Sequence, residues 1–80
     1  MIVLKNSNTP IYKQIAEQVK NDIVNNKISE GDRLPAIRAL ARDLRIPITT
    51  VIRAYNLLAE DGVLSVQESG YIVHNTNNEI

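Results

Sequence analysis

The sequence predicts a small α+β domain, mainly α, in which three helices precede a C-terminal two-stranded β-hairpin. Three observations lead there. Apolar residues recur at helical spacing in three separate stretches, near residues 11–24, 37–44 and 51–58. The last two stretches belong to short helices with a tight break between them at Arg45-Ile46-Pro47. After Asp61-Gly62 the pattern changes to two β-prone runs, Val63–Val66 and Tyr71–Val73, divided by Gln67-Glu68-Ser69-Gly70.

Each element can be justified in chain order. Met1–Leu4 is a short apolar run followed by polar residues, and this arm, residues 1–8, reads equally as loose chain or as an added strand. Thr9 is expected to cap the first helix with Pro10 in its first position, where a missing N–H costs nothing. Ile11, Tyr12, Ile15, Ala16, Val19, Ile23 and Val24 then trace its buried stripe, while Lys13, Glu17, Lys20 and Asp22 face water. Asn25-Asn26 and Ser29–Asp32 mark a loop, with Ile28 as an apolar plug between them. An extended bridge is expected at Arg33-Leu34, and Pro35 is expected to open the second helix.

In that second helix Ile37, Leu40, Ala41 and Leu44 fall at i, i+3, i+4 and i+7, so one face packs while Arg38, Arg42 and Arg45 line the other. Pro47 disfavours helical geometry at Ile46, which ends the helix. Val51, Ala54, Tyr55 and Leu58 repeat the buried spacing, leaving Thr49, Arg53 and Asn56 outward with Thr50 beside them; Thr49 is a reasonable cap for this third helix. Two amphipathic helices joined by a tight bend, the second opening with hydroxyl residues, have the design of a helix-turn-helix reader of DNA. Gly62 is suited to the left-handed stop of the third helix, and a hairpin directly after such a helix is a wing. The domain is expected over residues 9–74, with 75–80 a polar, frayed tail.

Composition narrows the functions. The chain has no Cys and a single His, so neither a disulfide framework nor a multi-histidine metal site is open to one copy. No phosphate-cradling glycine loop or nucleophile motif is present, so an enzyme is not expected and no cofactor is called for. The absence of a long apolar run argues against a membrane span or signal peptide and for a cytoplasmic protein. Formal net charge is zero, unusual for a binder of phosphates, yet residues 33–53 hold five arginines against Asp43 alone, a local charge of +4. Eighty residues give a marginal core, which calls for self-association or for a further part of a longer protein.

Taken together, Pro10-Ile11-Tyr12 with Gln14-Ile15, Gly31-Asp32-Arg33-Leu34-Pro35 followed by Arg38 and Leu40-Ala41, Thr50-Val51 and Asp61-Gly62 resemble the N-terminal winged helix-turn-helix domain of GntR-type bacterial transcription regulators. The pattern Pro47-x-Thr49-Thr50-Val51 with Arg53-Ala54-Tyr55 most resembles the YtrA-like branch of that family, whose reader domain is followed by a short helical dimerisation segment. The resemblance spans about Pro10 to Val73. It implies sequence-specific binding of double-stranded DNA, as a repressor acting on a palindromic operator through a homodimer; no effector is identified by it. By position it implies that Arg38 contacts phosphate or a guanine edge, that Thr49 and Thr50 meet backbone and bases, that Arg53 lies on the DNA-facing side, and that Ser69 and Gly70 approach the minor groove from the wing tip.

The chain departs from the family pattern in three places. Ile48 and Ile52 stand where many relatives have polar or basic residues, and either touch thymine methyl groups or meet a partner chain. Arg45 replaces a common Gly, adding charge at the turn while removing conformational freedom. The wing has one glycine and an acid, Glu68, in place of two glycines and a base. Plainer roles stand beside the sharper ones: Arg38, Arg42 and Arg45 as a solvated face near Asp43, Arg53 as a partner for Glu60 or Asp61, and Tyr12 and Tyr55 as core. An alternative function is a winged-helix interaction or dimerisation module built on Ile48 and Ile52, with DNA binding secondary.

Overall fold

The computed structural model describes residues 1–74; the polar tail expected at 75–80 lies outside them. Three helices, α1 (Ile11–Val24), α2 (Ile37–Leu44) and α3 (Ile48–Glu60), are followed by the strands β1 (Leu64–Gln67) and β2 (Gly70–Val73). The strands pair antiparallel, with Leu64 opposite Val73 and Gln67 opposite Gly70, so Glu68 and Ser69 form the wing tip. Arg33 bridges Ile72 on the free side of β2. The Leu34 N–H donates to the Tyr71 carbonyl at 2.9 Å and the Val73 N–H to the Asp32 carbonyl at 2.8 Å, so the segment before α2 is tied to the wing.

The core lies where α1 and α2 close on α3. Ile15, Val19, Val51, Ala54 and Leu58 are essentially without solvent contact, and Leu64 and Val73 close the core from the sheet. Tyr55 joins three elements: its ring meets Tyr71 edge to face at 4.8 Å between centroids, and its hydroxyl donates to the Pro35 carbonyl at 2.7 Å. Buried in this way, the Tyr55 phenol is pushed up to about 12, by desolvation first and then by the neighbouring Tyr71. Val24 corrects the expected stripe, being 64% exposed. At about 100° per residue the buried Ile15, Ala16, Val19 and Ile23 span an arc of about 100°, and Val24 falls about 80° beyond its edge.

The helix starts also differ from expectation. Pro10, Ala36 and Pro47 are the N-cap residues, each with extended backbone and none with a side-chain cap, while Thr9 precedes its helix and Thr49 sits within α3. Each cap residue still supplies its carbonyl to the first turn, as in the bonds from Gln14 N–H to Pro10 and from Thr50 N–H to Pro47, both 3.1 Å. The foremost amide groups of α3 therefore remain free of a capping side chain.

All three helices end alike. Within two residues of each end stands one with positive φ, at Asn26 (61°), Arg45 (57°) and Gly62 (78°). The following N–H reaches back to a carbonyl five residues earlier, from Lys27 to Asp22, Ile46 to Ala41 and Val63 to Leu58. This is the Schellman arrangement, which satisfies the last carbonyls and here buries Ile46 and Val63. Of the three positions only Arg45 holds a residue poorly suited to left-handed backbone.

The arm is not a strand of the sheet. Gln14 accepts from the Leu4 N–H at 2.7 Å and donates to the Leu4 carbonyl at 2.9 Å, and Gln18 donates to the Ile2 carbonyl. The arm is thereby laid along α1, with Val3 packed on the core. Beyond it, the Lys5 ammonium donates to the Arg45 carbonyl at 3.0 Å, joining the arm to the bend between α2 and α3.

Candidate nucleic-acid interface

The outward face of α3 follows from its burial. With Val51, Ala54, Tyr55 and Leu58 facing inward, a turn of about 100° per residue puts Thr49, Arg53, Asn56 and Glu60 within about a 60° arc on the opposite side. Thr49, Ile52, Arg53 and Asn56 line one shallow depression of about 420 Å³, bordered by Tyr12 of α1. The Arg53 guanidinium lies over the Tyr12 ring, 4.0 Å from its centroid. Stacked there, it is held by a cation–π contact while its N–H groups stay available at the edge. Thr50, half-buried, sits on the flank of this face.

A second depression, of about 730 Å³, opens between the N-terminus of α2 and the wing, lined by Arg33, Arg38, Ser69, Gly70 and Tyr71 among others. Three of the residues singled out from sequence, Arg38, Ser69 and Gly70, are thus brought together across a gap between two elements. Arg33 was not singled out for this site. Its guanidinium donates to the Ser69 carbonyl at 3.2 Å, and its aliphatic stem crosses Gly70 so closely that a Cβ there would lie 3.2 Å from Arg33 Cδ. Gly70 also has φ of +125°, a conformation that only glycine takes easily. The expected extended bridge at Arg33-Leu34, beside a hairpin, was the signal that could have placed Arg33 at the wing.

Arg45 occupies neither depression and stands exposed in the bend between the two reader helices. The described ion pair, Lys20 with Asp61 at 2.7 Å, takes up one of the two acids considered for Arg53, while the other, Glu60, lines the same depression as Arg53 without an ion pair to it. Among the described residues no arginine is ion-paired. Tyr55 is core, whereas Tyr12 is half-buried and serves as the surface on which Arg53 rests.

Comparison with known proteins identifies the fold and the family. The family model described as "Bacterial regulatory proteins, gntR family" matches residues 11–72. Over 58 residues the chain is 38% identical to the HTH-type transcriptional repressor YtrA of Bacillus subtilis, covering 72% of this chain and 45% of that protein. Over 65 residues it is 35% identical to the mannosyl-D-glycerate transport/metabolism system repressor MngR of Escherichia coli, covering 80% of this chain and 27% of that one. The chain thus spans less than half the length of these curated relatives. Among solved structures, YtrA from Sulfolobus acidocaldarius, a GntR-family transcription factor, superposes with a TM-score of 0.87 at 42% identity, covering 91% of this chain and 78% of the other. AraR(DBD) in complex with operator ORX1 gives a TM-score of 0.80 at 26% identity, covering 92% and 96%. Helix-turn-helix, wing and matched sequence together establish that the chain belongs to the GntR family of bacterial regulatory proteins.

Proposed function

We propose that this chain binds double-stranded operator DNA as a transcription regulator, with α3 in the major groove and the wing beside it. The observation that carries the reading is the outward face of α3, where Thr49, Arg53 and Asn56 lie together below N-terminal amides that have no side-chain cap. Such a helix end attracts phosphate through its dipole and amide groups, while the side chains further along reach base edges. Arg38, Ser69 and Gly70 serve as the contact at the wing, Arg45 adds a phosphate contact at the bend, and Thr50 meets the backbone from the flank. Arg33 joins them as the residue that fixes the wing tip.

Repression is favoured because the YtrA and MngR relatives carry that name. A single reader module of this kind covers roughly 600–1,000 Å² of its own surface on DNA, so two copies on a palindromic site are needed for strong binding. The operator named with AraR(DBD) favours DNA as the partner over the interaction-module alternative. No described helix is long and apolar enough to cross a membrane, in keeping with action in the cytoplasm.

The test is selection of duplexes from a random pool, followed by titration of the selected operator in rising salt. Arg38→Ala and Thr50→Ala should each weaken binding, Arg38→Ala by roughly tenfold or more if it reads a guanine, or with a salt slope smaller by about 0.9 if it meets phosphate. Unchanged affinity in both variants overturns the site.

A further inference from the structure

On the reading that α3 enters the major groove, we propose that Ile48 and Ile52 determine specificity, each seated against the C5-methyl group of a thymine. The two side chains are 39% and 38% exposed in the first two turns of α3. Nothing in helix formation asks for them there, because β-branched residues at exposed positions are poorer helix formers than straight-chain ones. Neither completes the core, which is filled on this helix by Val51, Ala54, Tyr55 and Leu58. Ile52 lines the same depression as Thr49, Arg53 and Asn56, and Ile48 lies one turn earlier on the adjoining edge of the helix.

Charge decides what covers them. Arg45 stands three residues before Ile48, and Arg53 immediately follows Ile52. Neither is ion-paired among the described residues. An apolar protein surface laid over the isoleucines would desolvate these cations without compensation, whereas DNA brings phosphates for the arginines and methyl groups for the isoleucines in one surface. The thymine methyl is the apolar group on the major-groove edge. Pressed on guanine or cytosine, the same side chains would strip water from edge acceptors and donors and return no hydrogen bond. Four helical residues rise about 6 Å, close to two base-pair steps at 3.4 Å each, so the two thymines lie within about two steps of each other in each half-site.

The experiment uses the selected operator and replaces single thymines by deoxyuridine, which deletes the methyl and leaves every hydrogen-bonding group intact. Two positions should each lose about fourfold in affinity, from the transfer free energy of one buried carbon. Ile52→Ala should abolish the thymine-over-uracil preference at one position and Ile48→Ala at the other, with unchanged thermal stability. Specific binding that is indifferent to every deoxyuridine, or a preference that persists in both variants, overturns this inference and leaves the DNA-binding reading intact. A double variant that changes sedimentation from dimer to monomer and leaves the uracil penalty as it was also overturns it, assigning the isoleucines to a subunit contact. Selection at low salt that enriches no sequence removes both.

Discussion

Replacing Arg45 by glycine should make the protein more stable and a weaker DNA binder at the same time. All three helices end in one motif with left-handed backbone, and glycine or asparagine fills that position in the other two. At Arg45, φ of 57° and ψ of 49° set its Cβ against the following carbonyl, a cost of roughly 1–2 kcal/mol for a side chain other than Gly or Asn. Glycine removes that cost but gives back about 0.5–1 kcal/mol through the greater freedom of the unfolded chain. The net gain is about 0.8 kcal/mol, worth about 5 °C in melting temperature for a domain of this size. The backbone bonds at the bend, including the Lys5 contact to the Arg45 carbonyl, do not need the side chain and should survive. On the DNA side one cation disappears, so the slope of log K against log salt should shrink by about 0.9. Urea denaturation and a salt series of anisotropy titrations give the two numbers. A destabilised Arg45→Gly variant would refute the strain reasoning, and an unaltered slope would remove Arg45 from the interface.

Other consequences are equally direct. Because burial raises the Tyr55 phenol to about 12 from 10.0, its contribution to stability is complete below pH 10 and is lost as pH climbs through 12, about 2–3 kcal/mol in all; alkaline denaturation should show this loss, and Tyr55→Phe should abolish it. At neutral pH that variant leaves the Pro35 carbonyl without its donor and should cost about 1–2 kcal/mol by urea titration. Gly70→Ala should cost roughly 1–3 kcal/mol through its positive φ and push Arg33 from the wing tip, a displacement to be read from the chemical shifts of Arg33 and Ser69. A double-mutant cycle on Tyr12→Leu and Arg53→Ala should return a coupling of about 0.5–1 kcal/mol in thermal stability.

Local patterns made the helices and hairpin readable, and long-range pairing explains what was missed. Apolar spacing located α1, α2 and α3 because each buries one stripe, and the change to β-prone residues after Gly62 located the wing. The caps were misread at Thr9 and Thr49 because a hydroxyl residue within two positions of a proline leaves more than one register open, and the structure uses the extended proline itself as the last non-helical residue. Pro47 shows that the chain must bend before α3, yet three residues could have absorbed the turn, and the left-handed backbone of Arg45 is settled by burying Ile46. Arg33 with Ser69, and Arg53 with Tyr12, meet across long stretches of chain that share no periodicity. Thr49, Arg53, Arg38, Ser69 and Gly70, singled out from sequence as DNA contacts, line two depressions, a grouping that only coordinates display.

Neutrality has a physical consequence for how such a reader works. With no net charge the molecule has little field beyond a Debye length, about 8 Å at physiological salt, and cannot be drawn to DNA from afar. Every arginine nevertheless lies between residues 33 and 53, while the acids, Asp43 apart, fall in other segments. On the proposed reading the attraction therefore acts at contact, through the arginines gathered in this segment. Weak general attraction also means weak competition from unrelated DNA, so a larger share of operator affinity has to come from base edges. Side chains that discriminate by shape and dryness, rather than by charge, suit that requirement, and on this surface they are the two isoleucines beside the threonines of α3.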